Sequence, residues 1–265
     1  MEFGERSDEG AARIRAFVQA IAGLVRPGDL DGLRVLDLGA GDGAVAGELA
    51  LRGASVLAIE GREANAAAIR SLRDGAGIEP GRLVVRVADV RRLDWDALGE
   101  FEVIVCSGLL YHLELDAAVA LTASLARACT RLALIDTEVA WGPVERRGRF
   151  AGHAFREHAP GAAAADRAAA RLASLDNDES FWLTRASLHA LLHDAGFASS
   201  WELGSPGQPR REARATVAAL VGESVERLAL EPARTLPPPR PAEPRAGRMQ
   251  AARIGLARLR ARGDR

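Results

Sequence analysis

The chain has 265 residues, with 35 basic against 36 acidic side chains and 48% hydrophobic residues. That length supports one sizeable domain with additions and a full core. A formal net charge of −1 gives no global field to draw the protein onto nucleic acid or a membrane. Every Lys/Arg position is arginine, which reads as a composition bias and not as function.

The start, Met1 to Arg6, is acidic and lacks the apolar core of a signal peptide. Ile14, Phe17, Val18, Ile21, Leu24 and Val25 fall at helical spacing, predicting an amphipathic helix over about 9–26 that Pro27-Gly28 ends. The next stretch, Arg34-Val35-Leu36-Asp37-Leu38-Gly39-Ala40-Gly41-Asp42-Gly43, is an apolar strand running through a carboxylate into alternate glycines. Bare glycine backbone lets a bulky ligand approach the strand end, where the following helix presents free N–H groups.

Two ligands compete for that loop. Gly39-x-Gly41-x-x-Ala44 satisfies the pattern G-x-G-x-x-G/A of dinucleotide-binding turns. Asp37 would repel a pyrophosphate at close range but suits a ligand carrying an ammonium group, such as S-adenosylmethionine.

Strands and helices alternate from there. A helix over Val45–Leu51 leads to a strand over Ser55–Glu60 that ends in an acid, about where a ribose diol is gripped in either cofactor. A helix from Glu63 to about Arg73 precedes a strand over Leu83–Asp89, whose Asp89 can accept from an adenine amino group. Arg62 and Glu63 either brace the ribose acid or begin the helix. The strand Phe101–Ser107 runs into Gly108-Leu109-Leu110-Tyr111-His112, a helix over about Asp116–Cys129 follows, and Leu132–Asp136 makes a fifth strand. Cys106 and Cys129 read as buried thiols, with no disulfide framework or metal cluster. This rhythm predicts an α/β fold with a parallel sheet covered on both faces.

Asp37, Gly39, Gly41, Gly43, Glu60 and Asp89, in this order at strand ends, resemble the class I S-adenosylmethionine-dependent methyltransferases over about residues 10–222. The resemblance implies a three-layer α-β-α sandwich around a mostly parallel seven-stranded Rossmann-like sheet with an antiparallel last strand. It also implies S-adenosylmethionine as cofactor, S-adenosylhomocysteine as product, and a cofactor site of Asp37, Gly39, Ala40, Gly41, Gly43, Glu60, Gly61, Asp89, Val90 and Ser107. The Gly-x-Leu-Tyr-His segment is similar to tRNA wobble-uridine carboxymethyltransferases too. Here, however, Leu113 and not a basic residue follows His112, and their N-terminal extension is missing.

Thr184 caps a helix carrying Leu188, Leu191 and Leu192 and stopped by Gly196, and two late strands are expected over Ala198–Leu203 and Ala215–Val221. Residues 140–182 exceed an ordinary connection and read as an acceptor-side insertion, a binding loop or lid with an alanine-rich helical run. The methyltransferase domain is taken as 1–222. The tail 223–265 holds a polyproline stretch at 235–241 and a basic end at 245–265, either solvated or a contact for RNA or a partner.

Ligands of open α/β sheets sit outside the carboxyl ends of the strands. His112 is the candidate general base, since an imidazole titrates near neutrality, or else a loop-shaping histidine. Tyr111, the chain's one tyrosine, covers the cofactor, orients the acceptor, or simply packs. Asp136, Asn177 and Trp182 join them as candidate acceptor contacts; Asn177, Ser180 and Trp182 equally suit the turn entering the Thr184 helix. His189 and His193 stand one helical turn apart but lack a third metal ligand.

The expectation is methyl transfer by in-line displacement to an oxygen or nitrogen of a small molecule. The alternatives are an RNA-modifying methyltransferase, an NAD(P)-dependent oxidoreductase and a non-catalytic cofactor-binding regulator. No apolar run reaches the ~18 residues of a membrane span. The protein is therefore expected in the cytoplasm, with no membrane partner and no metal.

Overall fold

The computed structural model describes residues 8–26, 28–170, 172–204 and 213–222. The signal-peptide reading at 1–6, Pro27 and the whole tail from 223 lie outside the described residues.

The apolar runs become strands β1 (Arg34–Leu38), β2 (Ser55–Glu60), β3 (Leu83–Val87), β4 (Phe101–Ser107) and β5 (Cys129–Glu138). Later strands β6 (Glu145–Arg147), β7 (Phe150–Arg156), β8 (Glu179–Leu183), β9 (Ser199–Glu202) and β10 (Arg214–Leu220) complete the set. The helices are α1 (Asp8–Leu24), α2 (Ala44–Leu51), α3 (Glu63–Gly75), α4 (Trp95–Leu98), α5 (Leu115–Ala128), α6 (Ala164–Ala169) and α7 (Arg185–Ala195).

Seven strands form one sheet in the order β3-β2-β1-β4-β5-β10-β9. The first five are parallel, and β10 runs antiparallel to both β5 and β9. Alternate residues of the central strands feed opposite cores. Val35, Val103, Val105 and Leu134 pack with Phe17, Ile21 and Leu49 beneath α1 and α2, whereas Leu36, Ile104, Cys106 and Ile135 pack with Leu121, Leu125 and Leu188 beneath α5 and α7. Burial on both faces explains why these strands are nearly continuous runs of apolar residues. Thr184 Oγ1 accepts from Ser187 N at the start of α7, and Gly196 closes the helix at φ 110°.

The insertion departs from a loop or lid. Its β6, β7 and β8 pair antiparallel into a second, three-stranded sheet. Phe150, Phe181 and Leu183 send its inner face into the α5/α7 core. Gly152 is required there, because a Cβ would overlap the Trp182 carbonyl and the Phe181 ring. The stretch 176–182, read either as acceptor contacts or as helix-entry turn chemistry, leads into β8. Asp176 and Asp178 sit in bends, in keeping with their turn-forming bias, and pairing with β7 begins only at Glu179. The alanine-rich run does form a helix, but only the six-residue α6. Cys129 caps the end of α5 and opens β5; burial pushes its thiol up to about 11 and that of Cys106 up to about 12.

Candidate active site

Past β1 the chain turns through Gly39, Gly41 and Gly43 with φ of 66°, 58° and 79°, a region that disfavours side chains. The Gly39 and Ala40 N–H groups donate to Ile59 O at 2.9 and 3.1 Å, and Gly41 N–H donates to Glu60 Oε2 at 2.9 Å. The loop thus hangs from β2 and opens onto a cavity of about 650 Å³ at the carboxyl ends of the strands. Gly43 does not line this cavity. A Cβ there would meet Ile69 at 2.9 Å, so this glycine lets α2 and α3 approach each other.

Asp37 lies buried at the cavity floor and its Oδ2 has no hydrogen-bond partner. Burial pushes its carboxyl up to about 7; a hydrogen bond from Ala46 N–H opposes the rise, while Glu60 and Asp42 add to it. A buried acid this short of partners is suited to a cationic group entering beside it. The residues present therefore fit the ammonium of S-adenosylmethionine and do not fit a diphosphate.

Glu60, Gly61, Asp89 and Val90 line the other end of the cavity. Glu60 Oε1 accepts from Arg62 N–H at 3.0 Å and Asn65 Nδ2 at 3.2 Å, which fixes the carboxylate while leaving lone pairs for a diol. Asp89 is not a bare strand-end acid. β3 stops at Val87, and Asp89 caps the following turn by accepting from Arg91 N–H while Arg91 Nη2 binds its Oδ2 at 2.6 Å. Burial acts to raise its carboxyl, but the Arg91 contacts outweigh that and hold it below the usual range. Segment 172–177 of the insertion roofs this end. Arg62 holds it by donating to the carbonyls of Arg167, Ala168, Ala173 and Ser174 at 2.9–3.3 Å, and Arg91 pairs with Asp176 at 2.6 Å.

At the opposite end Ser107 closes β4, and Tyr111 and His112 follow it. His112 Nδ1 lies 2.9 Å from Glu157 Oε2. Glu157 is buried at the end of the insertion's β7 and also accepts from Ser180 Oγ at 2.6 Å and Ser174 N–H at 2.9 Å. Burial alone would raise the Glu157 carboxyl, yet the hydrogen bonds from His112 and Ser180 keep it below its ordinary value. An ionised carboxylate only accepts, so Nδ1 carries the proton and Nε2 is left as the basic atom. Asn177 Nδ2 braces the loop by donating to His112 O at 3.1 Å.

Trp182 lines an open groove of about 630 Å³ that shares Tyr111 and His112 with the cofactor cavity. It stacks on Phe155 at 4.4 Å and meets Tyr111 edge-on at 5.8 Å. Asp136 does not reach either space. It is buried, bonded to the Arg214 guanidinium and to Thr216 Oγ1 at 2.6 Å, and Arg214 in turn sits 5.7 Å from the Tyr111 ring. Burial raises the Tyr111 hydroxyl, against the pull of Arg214.

Glu157, Arg214 and Arg13 were not singled out from the sequence, because charged residues far from any motif carry no local signal. His189 hydrogen-bonds Ser200 Oγ at 2.7 Å and His193 is exposed. Among the described residues no group of three or more potential ligands could hold a metal ion.

Residues 35–131 match a family model described as a methyltransferase domain. No curated protein sequence matches the chain. Among solved structures, the N-terminal domain of EvdMO1 with S-adenosylhomocysteine bound is 30% identical with a TM-score of 0.65, over 84% of this chain and 90% of that one. The same domain in the presence of S-adenosylhomocysteine and D-fucose is 29% identical with a TM-score of 0.64, over 83% and 85%. Magnesium protoporphyrin IX methyltransferase from Synechocystis PCC 6803, with S-adenosylmethionine bound, shares the fold at 18% identity and a TM-score of 0.54, over 83% and 87%. The dinucleotide reading of the glycine loop therefore gives way to the sulfonium cofactor. The chain belongs to the class I S-adenosylmethionine-dependent methyltransferases and is an enzyme of that family.

Proposed function

We propose that the enzyme methylates a hydroxyl oxygen of a small, polyhydroxylated acceptor, with His112 as general base and Glu157 holding it. The observation that carries this reading is the 2.9 Å contact between His112 Nδ1 and Glu157, which leaves Nε2 free to take a proton where the cofactor cavity meets the aromatic groove. The cofactor supplies an electrophilic methyl group on sulfur. Asp37 binds its ammonium, Glu60 its ribose, and Asp89 with Val90 its adenine edge; the glycine loop leaves room for it. Tyr111, Trp182 and Phe155 wall the acceptor, and Asn177 fixes the loop that carries His112. His112 Nε2 would accept the proton of a hydroxyl held in line with that methyl group; the oxygen–carbon bond would form as the carbon–sulfur bond breaks and S-adenosylhomocysteine leaves, with positioning supplying much of the rate.

The D-fucose present with the EvdMO1 domain supports an acceptor of sugar size. We take residues 1–222 as the catalytic domain and 223–265 as a tail outside it. Two buried free cysteines agree with a cytoplasmic setting. No helix among the described residues is long and apolar enough to cross a membrane. The test is methyl transfer from S-adenosylmethionine to a panel of deoxyhexoses and their glycosides, scored by product mass. Oxygen methylation that falls with His112→Gln supports the reading; turnover only on nitrogen acceptors, or on RNA, overturns it.

A further inference from the structure

The roof segment 172–177 touches both halves of the site, and one peptide group carries the two contacts. In the peptide joining Ala173 to Ser174, the carbonyl accepts from Arg62 Nη2 at 3.1 Å. The N–H of the same peptide donates to Glu157 Oε2 at 2.9 Å, the oxygen that also lies 2.9 Å from His112 Nδ1. A trans peptide is a rigid plane whose C=O and N–H point in opposite directions, so holding one end aims the other.

Arg62 is itself firmly placed. Its backbone N–H donates to Glu60 Oε1 at 3.0 Å at the end of β2, and it is the residue that caps α3. Its guanidinium then spans four carbonyls. Nη2 also reaches Ser174 O at 2.9 Å, while Nη1 reaches Arg167 O and Ala168 O at 3.1 and 3.3 Å. The latter two belong to the last turn of α6, where helix geometry leaves carbonyls without intrahelical partners. A planar fork of charged donors suits this task better than a point charge, because it holds several acceptors in fixed directions at once.

We infer that Arg62 is a positioning residue for the general base. Through the Ala173–Ser174 peptide it fixes Glu157, and through Glu157 it fixes the orientation and tautomer of His112. The inference rests on His112 being the base that Glu157 holds. The segment that roofs the cofactor cavity and the group that takes the acceptor's proton are thereby one mechanical unit.

The experiment is nitrogen NMR of the imidazoles in the full chain carrying isotope-labelled histidine. It is run without ligand at about pH 9, where an ordinary imidazole is neutral. The chain has five histidines, and His112→Gln identifies the His112 signals by their loss. In the unmodified protein His112 should hold its proton on Nδ1. Arg62→Gln should abolish that preference, and Arg62→Lys should regain part of it. A His112 that keeps the Nδ1 proton in Arg62→Gln overturns the inference. That holds even if the His158 signals, whose Nε2 lies 3.0 Å from Ser174 O, show that the segment has moved. Should Arg62→Gln lose its fold, read as collapse of all the histidine signals together, Arg62→Lys carries the test. A partial loss of the preference then supports the inference, and full retention overturns it. Glu157→Ala tests the reading beneath: it too should abolish the preference. If it does not, the pairing of His112 with Glu157 fails and the inference goes with it. If Glu157→Ala removes the preference while Arg62→Gln leaves it intact, only the role of Arg62 falls.

Discussion

The seven-stranded sheet is covered on both faces, and the residues proposed to hold the cofactor stand at its strand ends, Asp37 and Glu60 on β1 and β2 themselves, and in the loops beyond them. The three-stranded sheet of the insertion works differently: Phe181 and Leu183 bury one face in the α5/α7 core, while Trp182, Phe155 and Ser180 on the other face line or flank the acceptor groove. In the first region stability comes from the strand middles, and the cavity lining comes from the strand ends and the loops beyond them. In the second the same strand does both, with alternate residues serving each, because successive side chains of a strand point to opposite faces. The contrast teaches that the cofactor half can be altered at its loops without unseating the core. The acceptor half cannot change its inner face without moving the groove.

The largest expected effect lies where the two regions meet. His112→Gln should lower kcat by about 10²–10⁴ while S-adenosylhomocysteine affinity, measured by calorimetry, stays near that of the unmodified enzyme. Equal losses in both would mean that His112 shapes the cofactor loop. Asp37→Ala should weaken cofactor binding by about 100-fold, since it removes a buried charged partner. Gly41→Val should do comparable damage by forcing a β-branched residue to a φ of 58°.

A pair of neighbouring substitutions separates the two faces of the small sheet. Phe181→Ala should cost about 3–5 kcal/mol in urea unfolding through the cavity it leaves. Trp182→Ala should cost about 0.5–1.5 kcal/mol from the lost Phe155 stack, yet raise KM for the acceptor. Similar stability losses at both positions would show that the sheet has no functional face.

The pH dependence tests the cofactor half alone. Asp37, at about 7 in the folded protein, must release its proton to pair with an ammonium. S-adenosylhomocysteine affinity should therefore rise by up to about tenfold per pH unit below 7 and level off above it. Asp37→Asn should flatten that profile. The sign for stability is opposite: between its ordinary value and 7 the folded state holds a proton that the unfolded chain has released. The contribution of Asp37 is thus most favourable at low pH and declines as pH rises toward 7. The smallest effect should come from ending the chain after residue 222, which should leave S-adenosylhomocysteine binding unchanged; lost binding would move part of the site into the tail.

Much of the cofactor half was legible in the chain. The runs Arg34–Leu38, Ser55–Glu60 and Phe101–Ser107 form strands at those bounds, and Asp37, Gly39, Gly41 and Glu60 meet at one cavity. The antiparallel last strand followed from the family resemblance and is found in β10, which lies between β5 and β9. Gly43, a ligand contact by the resemblance, and Asp136, one by its position, lie outside the cavity lining, where Gly43 faces Ile69 and Asp136 pairs with Arg214. Position next to a strand end limits where a residue lies but not which way its side chain is turned.

What the chain determined by itself is whatever is encoded within a few residues: apolar runs long enough for a strand, glycines where φ must be positive, and acids at or near the ends of β1, β2 and β3. The tertiary structure alone decided the partners. His112 meets Glu157 across 45 residues and Arg13 approaches Asp136 across 123. An arginine or glutamate bound for a buried contact has the same local pattern as one bound for solvent. Pairing of β7 with β8 supplied the distinction by carrying Glu157 to the histidine and Trp182 to the groove. Strand pairing depends on which distant segments can bury their apolar faces together, and no short stretch of sequence contains that information.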